Sequence, residues 1–155
     1  MNFGFKLSVC VPTFNREAEL RVLFDSLRDI ADIQIVVCDD GSKDNSKTVI
    51  EGYLASLNVK YLYQENAGRS VALRNAILNA DGKYAILMDS DDYFLPNAIG
   101  LILATLVKLE NGSLPADVQC LLFGTELIKD GKSKANLPPD TITNFVAVRA
   151  DLGIK

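Results

Sequence analysis

The chain has 155 residues, 48% hydrophobic and 23% charged, a composition typical of one soluble globular domain with a buried core. Sixteen Lys and Arg stand against twenty Asp and Glu, a formal net charge of −4, which argues against nucleic acid as a partner. The absence of histidine excludes Ser-His-Asp and Cys-His nucleophilic arrangements and any His-containing metal site.

The three cysteines, Cys10, Cys38 and Cys120, lie in apolar runs without Cys-x-x-Cys spacing. They predict buried free thiols in a reducing compartment rather than a disulfide framework or a zinc site. The sequence shows no signal-peptide pattern, and its most apolar window, residues 98–107, is far shorter than the roughly 20 residues that span a bilayer. We therefore expect a cytoplasmic location and no transmembrane segment, which leaves peripheral membrane association of the whole protein open.

Predicted strands and helices alternate along most of the chain. Apolar runs predict strands at residues 7–12, 33–38, 59–63, 84–88 and 118–123. The spacing of apolar residues predicts helices from Glu17 and around Val49 to Leu57, and a segment rich in Ala, Leu and Arg predicts a third over residues 70–80. A fourth helix is expected from near Pro96, which suits a first helical position, to before Asn111, where the following glycine suits a stop. In the last of these helices the expected core positions are Leu101, Ile102, Leu106 and Leu109. Residues 125–134 predict a hairpin, and no helical or strand period is visible from Pro138 onward.

This alternation predicts an α/β fold with three layers, α/β/α, around a mostly parallel central sheet. Ligands bind such sheets outside the carboxyl ends of their strands. The segments that follow the first four predicted strands are residues 12–15, 39–42, 66–69 and 89–92, and we expect them to converge on one edge.

Two of these segments are acidic. If the chain is extended there, Asp89 and Asp91 point to the same side and form an oxygen-only site suited to Mg or Mn with phosphate oxygens. An acidic loop capping the next helix is the structural alternative. Asp39 and Asp40 precede an Asp-Gly turn, where Ser42 or Asp44 can cap a helix, so one of the two carboxylates is free to accept hydrogen bonds from a uracil imide or a ribose.

The other two segments have similarly balanced interpretations. Gly68 and Arg69 precede a predicted helix, where backbone amides and a guanidinium favour an anion, although a loop glycine and a solvated arginine explain them equally well. Phe14 is either a core residue under the first loop, the commoner fate of Phe, or a flat surface for a base.

Taken together, residues 8–15, 36–42, 66–75 and 88–92 resemble the nucleotide-binding half of family 2 glycosyltransferases, inverting enzymes of GT-A fold. The resemblance extends from about Lys6 to Phe123. It implies the Rossmann-like architecture of nucleotide-diphospho-sugar transferases, and glycosyl transfer from a nucleoside diphosphate sugar, UDP-sugar favoured, to a saccharide or lipid-linked acceptor in polysaccharide or glycoconjugate synthesis.

By this resemblance, Asp40 recognises the base with help from Asp39. Asp91, with Asp89, binds Mg or Mn, which bridges the phosphates and offsets charge on the leaving diphosphate. The implied nucleotide-binding residues are Pro12, Thr13, Phe14, Asp39, Asp40, Asn66, Gly68, Arg69 and Asp89.

The sequence departs from the family in its last part. The family's catalytic base is an acidic residue well downstream of the Asp-x-Asp motif, and none of the acids after Asp92 lies in a recognisable base motif, so we identify no catalytic residue. We expect residues 1–124 to form the nucleotide-sugar-binding domain and residues 125–155 to form a hairpin and loop extension of it. The acceptor-binding half would start in this extension and is expected to be missing, either because the chain is truncated or because the natural protein is short.

Two other functions compete with this prediction. One is a non-catalytic nucleotide-binding module. The other is a flavodoxin-like phosphoacceptor domain, which is disfavoured because Pro12 and Thr13 stand where that fold has its acidic pair.

Overall fold

The computed structural model describes residues 4–113 in full and, beyond them, the backbone of strands at 120–122, 125–129, 132–137 and 146–149. Strands and helices alternate through the first part in the predicted order. The elements are β1 (Phe5–Thr13), α1 (Glu17–Ser26), β2 (Ile33–Asp39), α2 (Ser46–Tyr53), β3 (Val59–Tyr63), α3 (Arg69–Leu78), β4 (Gly82–Leu87), α4 (Ala98–Glu110), β5 (Cys120–Leu122), β6 (Thr125–Lys129), β7 (Lys132–Leu137) and β8 (Val146–Arg149).

The main sheet has the strand order β3-β2-β1-β4-β8-β5. β1 pairs in parallel with β2 on one side and β4 on the other, so that Val9 lies between Ile35 and Ile86. β3 adds to β2 in parallel, whereas β8 runs antiparallel to both β4 and β5. The predicted α/β fold with a mostly parallel central sheet is confirmed.

Helices cover both faces of this sheet because side chains alternate along each strand. Leu7, Val9 and Val11 of β1 pack into the larger core with residues of α1, α2 and α4. Cys10 points to the opposite face, where Ala72 and Ala76 of α3 pack against β1 and β2. These small side chains let α3 approach the sheet closely, which brings the start of α3 to the sheet edge.

The helices differ from prediction in detail. α4 begins at Ala98, after Asn97 in a left-handed conformation (φ 66°), so Pro96 lies before the helix and not at its first position. Ile102 and Leu106 are buried as expected, but Leu101 is 68% exposed, so its predicted place in the core is wrong. The reason is geometric: at 100° per residue the buried side of α4 runs through Ile99, Ile102 and Leu106 and leaves Leu101 outside.

The prediction for the last part of the chain is wrong in one respect. We expected no strand after Pro138, yet β8 lies inside the main sheet, between β4 and β5. Its four residues are too few for a two-residue period to stand out in the sequence. The predicted hairpin is confirmed, because β6 and β7 pair antiparallel with an irregularity between Leu127 and Ile128. Its proposed turn, residues 130–131, and the side chain of Cys120 lie outside the described residues.

Candidate functional site

The four strand-end loops of β1 to β4 meet around one pocket of about 420 Å³. Of the residues that the sequence predicts for nucleotide and metal, all but Asp39 line it, and Arg16, Ala72 and Ser90 join them. The lining residues are Pro12, Thr13, Phe14, Arg16, Asp40, Asn66, Gly68, Arg69, Ala72, Asp89, Ser90 and Asp91. The expected convergence of the segments is therefore observed, while binding of a nucleotide by these residues stays a prediction.

The loop after β1 presents an aromatic ring to the pocket. Phe14 is 44% exposed, so the core interpretation of this residue is wrong and its ring is open for stacking. Next to it, the Thr13 hydroxyl oxygen is buried and has no hydrogen-bond partner among the described residues. The Thr13 carbonyl accepts a hydrogen bond from the amide of Asp40 (2.8 Å), which ties this loop to the end of β2.

Reciprocal hydrogen bonds lock the β1–α1 loop to the β2–α2 loop. The amide of Asn15 donates to Ser42 Oγ (2.9 Å), and the amide of Lys43 donates to Asn15 Oδ1 (2.7 Å). Asn15 adopts a left-handed conformation (φ 52°), which asparagine tolerates better than most residues. The backbone beside Phe14 is thus fixed from the neighbouring loop.

The same two loops also cap each other's helices. Asp44 accepts hydrogen bonds from the amides of Glu17 (3.1 Å) and Ser46 (3.0 Å), the first residues of α1 and α2. In return, Glu17 Oε2 accepts from the amide of Asn45 (2.9 Å), and Ser46 Oγ accepts from that of Arg16 (3.1 Å). We call these contacts the loop clasp, made by the side chains of Asn15, Glu17, Ser42, Asp44 and Ser46.

The clasp changes the acidity of Asp44. Some loss of hydration opposes ionisation, but hydrogen bonds from Ser46 and from the amide of Glu17 outweigh it, so the pKa of Asp44 is lowered from its ordinary value.

The adjacent acids after β2 point in different directions. Asp39 is buried outside the pocket lining, where it accepts from the amide of Ser42 (2.8 Å) and the hydroxyl of Tyr61 (3.0 Å). Burial, and then this contact with Asp39, raise the pKa of the Tyr61 hydroxyl. Asp39 therefore shapes the turn.

Asp40 holds the loop before α3. Its Oδ1 accepts from Gln64 Nε2 (2.7 Å) and the amide of Ala67 (2.8 Å), and its Oδ2 accepts from the amide of Gly68 (2.9 Å). The Gln64 amide is oriented in turn, because its Oε1 accepts from Asn75 Nδ2 (2.7 Å). Asp40 thus presents acceptor oxygens to the pocket from a fixed position. Gln64 belongs to no recognisable motif, so its role could not be predicted from the sequence.

Two glycines permit this arrangement of loops. Gly68 precedes α3 with φ 95°, a conformation that side chains rarely adopt. Gly41, with φ 83°, lies so close to the Asn66 loop that an added Cβ would stand 3.0 Å from the amide nitrogen of Asn66.

Each acid of the Asp-x-Asp motif faces an arginine from another loop. Arg69 donates from Nε (2.8 Å) and from Nη2 to the same oxygen, Oδ1 of Asp89. Arg16 Nη2 lies 3.8 Å from Asp91 Oδ2, and both side chains are largely exposed. Asp92 is half-buried, and burial, followed by the charges of Asp91 and Asp89, raises the pKa of its carboxyl.

The acids of this motif fit a divalent cation that a substrate helps to coordinate. In the part of the chain that the structure describes, no group of three or more His, Cys, Asp or Glu side chains is arranged to hold a metal ion by itself. Asp91, whose side chain is 54% exposed in the pocket, offers the hard oxygen donors that Mg and Mn prefer, and such ions commonly use one or two carboxylates with substrate phosphates. Asp89 is engaged by Arg69.

The two described cysteines lie outside the pocket lining. Cys10 and Cys38 are buried and free, as predicted. Burial raises the pKa of Cys10 to about 12, and burial followed by the charges of Asp40 and Asp39 raises that of Cys38 to about 11.

Comparison with known proteins decides the family. The sequence model described as glycosyl transferase family 2 matches residues 8–118. The chain belongs to glycosyltransferase family 2. Relatives of this family 2 chain include an uncharacterized glycosyltransferase of Rickettsia bellii, 30% identical over 88% of this chain and 19% of its own length. Another is a GalNAc(5)-diNAcBac-PP-undecaprenol beta-1,3-glucosyltransferase of Campylobacter jejuni, 33% identical over 63% of this chain and 33% of its own length.

Solved structures agree with the family. S. aureus TarS 1-349, crystallised with UDP-GlcNAc, matches 68% of this family 2 chain and 32% of its own, with a TM-score of 0.64 and 30% identity. A mannosyltransferase of Pyrobaculum calidifontis, in complex with GDP-Man and Mn²⁺, has a TM-score of 0.56 over 64% of this chain and 34% of its own, and at 19% identity it supports the GT-A fold alone.

This family 2 chain spans about a fifth to a third of the length of the first curated relatives it matches. None of the helices in the described ranges is long and apolar enough to cross a bilayer.

Proposed function

We propose that this family 2 domain binds a nucleoside diphosphate sugar, preferably a UDP-sugar, together with a divalent cation, for inverting transfer of the sugar to a hydroxyl of a saccharide or lipid-linked acceptor. The observation that carries the proposal is that Phe14, Asp40, Arg69 and the Asp-x-Asp acids meet in one pocket. The family, and the UDP-GlcNAc complex of a protein 30% identical to the chain, support it.

Different residues of the pocket bind different parts of the nucleotide. The exposed ring of Phe14 stacks on the base, and the fixed oxygens of Asp40 accept from a base N–H, as a uracil imide provides. Arg69, with its planar fork of donors, suits the diphosphate, and Arg16 extends the positive edge of the pocket.

Asp91, with Asp89, would hold Mg or Mn. When bound, that cation supplies Lewis-acid stabilisation of the charge that develops on the leaving diphosphate. We assign no catalytic base among the described residues, so the domain's own part is to bind and orient the donor.

Calorimetric titration of UDP, with and without Mn²⁺, tests the proposal. We expect Mn²⁺ to tighten UDP binding at least tenfold in the wild type and less than twofold in Asp91→Asn. Glu51→Gln, a neutralisation on α2 outside the pocket, is the matched control and should behave as the wild type. Absence of UDP binding, or the same affinity with and without Mn²⁺, would contradict the proposed site.

Parallel titrations with GDP, TDP and CDP test the base preference, which we expect to favour UDP over CDP. Detection of slow UDP-sugar hydrolysis would distinguish an enzyme from a non-catalytic binding module.

A further inference from the structure

The two acids of the Asp-x-Asp motif are not equivalent in this pocket. Asp89 receives two N–H groups of Arg69 on one oxygen, and its side chain is only 28% exposed. Asp91 faces Arg16 at 3.8 Å, with side chains 54% and 45% exposed, a separation at which an ion pair is weak and solvent-screened. Arg16 is also held by Glu19 (3.0 Å). Asp91 is therefore accessible to a cation, whereas Oδ1 of Asp89 is occupied by the guanidinium of Arg69.

Arg69 can leave Asp89 more readily than Asp89 can move. The Arg69 side chain is 62% exposed at the start of α3, while Asp89 directly follows Met88, a buried residue just past the end of β4. A guanidinium and a divalent cation cannot share the same carboxylate oxygen, because both are positive. A diphosphate offers the displaced guanidinium a new bidentate partner within the same pocket.

We propose that Arg69 exchanges partners: it pairs with Oδ1 of Asp89 when the pocket holds no nucleotide and with the diphosphate when a nucleotide is bound, which frees Oδ1 and removes a positive charge from the place where the cation binds. The inference rests on the proposed function and deepens it. Arg69 thereby acts as a positioning residue that couples nucleotide binding to cation binding. By thermodynamic linkage, the factor by which UDP tightens Mn²⁺ equals the factor by which Mn²⁺ tightens UDP.

Electron paramagnetic resonance of free Mn²⁺ measures this coupling in the full 155-residue chain. Mn²⁺ is titrated with and without saturating UDP, and a titration of UDP alone accounts for the Mn²⁺ that it chelates in solution. For Arg69→Gln we expect Mn²⁺ to bind at least threefold more tightly than in the wild type when UDP is absent. The coupling factor should fall at least threefold.

Two variants and one measurement sharpen the test. Arg21→Gln removes an exposed arginine of α1 that does not line the pocket, and should leave both affinities unchanged. Arg69→Lys keeps the charge without the planar fork, so its coupling factor should lie between those of the wild type and Arg69→Gln. Thermal melts without ligand verify that each variant is folded.

The outcomes separate the inference from the proposed function. If Arg69→Gln leaves Mn²⁺ affinity without UDP unchanged, or shifts it equally with and without UDP, the exchange is overturned while UDP binding by the wild type upholds the proposed function. If the wild type binds no UDP, the proposed function itself fails and the exchange fails with it.

Discussion

Asp39 and Asp40 are neighbours in the chain, yet they perform different structural tasks. Strand alternation sends their side chains to opposite sides: Asp39 to the hydroxyl of Tyr61, and Asp40 to the amides of Ala67 and Gly68. From the sequence, one of the two acids is expected to face a ligand. The structure places Asp40 in the pocket and adds a task that the sequence did not show, namely holding the loop before α3.

Replacement of Asp40 should therefore affect stability as well as binding. We expect Asp40→Ala to lower the free energy of unfolding by about 1 to 3 kcal/mol, because three N–H donors lose a charged acceptor. Asp40→Asn should lie between Ala and the wild type. Urea denaturation measures the effect, and a loss below about 0.5 kcal/mol for Asp40→Ala would show that water replaces the carboxylate without penalty.

Replacement of Phe14 should weaken nucleotide binding without lowering stability. Base–aromatic stacking contributes about 1 to 3 kcal/mol, so we expect Phe14→Ala to weaken UDP binding roughly 5- to 150-fold. Because the ring is 44% exposed, the melting temperature should change little. Tyr63→Ala, which removes a 62% exposed ring outside the pocket, is the control for calorimetry and should keep wild-type affinity. Equal losses in the two variants would argue against stacking.

At the scale of the elements, the loop clasp joins the first turns of α1 and α2. Asp44→Ala removes the side-chain acceptor of one amide in each helix, the amides of Glu17 and Ser46. Since capping acceptors typically contribute about 1 kcal/mol, we expect a loss of about 1 to 2 kcal/mol in the free energy of unfolding, measured by urea denaturation. If the free energy of unfolding fell by only about 0.3 kcal/mol or less, water would be able to replace Asp44 as the acceptor of both amides.

The clasp also predicts a pH dependence. The pKa of Asp44 is lower in the folded chain than the ordinary value of about 3.9, so its stabilisation is present above that value and is lost as the pH falls through the lower folded-state pKa. We expect Asp44→Asn to flatten the decrease of melting temperature between about pH 5 and pH 3. Asp29→Asn, an exposed change outside the clasp, should keep the wild-type slope. If the melting temperatures of the wild type, Asp44→Asn and Asp29→Asn decreased equally with pH, the result would contradict a stabilising role of the Asp44 carboxylate.

Two glycines give a matched pair at the same scale. At Gly82, the first residue of β4, an added Cβ would stand 2.6 Å from the amide nitrogen and hydroxyl of Ser8, so Gly82→Ala forces β1 and β4 apart and should destabilise the chain by more than about 2 kcal/mol. At Gly52, inside α2, an added Cβ meets nothing within 4 Å, and Gly52→Ala should stabilise by about 0.5 to 1 kcal/mol. Thermal melts of both variants should therefore shift in opposite directions.

For the molecule as a whole, β8 determines how the sheet continues past β4. Ala147 lies between Ile86 of β4 and Leu121 of β5, both in antiparallel register. Proline at this position cannot donate to the ladder of a strand that is paired on both sides, so we expect Ala147→Pro to lower the free energy of unfolding by more than about 2 kcal/mol. Ala147→Val, a strand-favouring change, is the control. If the two variants were equally stable in urea, this result would contradict the position of β8 between β4 and β5.

The parts of the fold that a short-range pattern specifies could be predicted from the sequence. β3 lies at Val59–Tyr63, as its apolar run predicted, and the alternation of strands and helices sufficed to bring four loops to one edge. The contacts within that edge could not be predicted, because they join residues far apart in sequence: Arg69 and Asp89 are 20 residues apart, and Asn15 and Ser42 are 27. Their pairing depends on loop conformations that no local propensity determines.

The loop clasp has a consequence for exchanging segments between relatives. The β1–α1 loop carries Phe14 into the pocket, so it is a natural segment to exchange in a chimera. Three successive amides, those of residues 15 to 17, donate to the side chains of Ser42, Ser46 and Asp44. In the other direction, the side chains of Asn15 and Glu17 accept from two amides of the β2–α2 loop. A chimera that takes the β1–α1 loop alone would leave amides unmatched on both sides. The two loops therefore form the smallest transferable unit of this pocket.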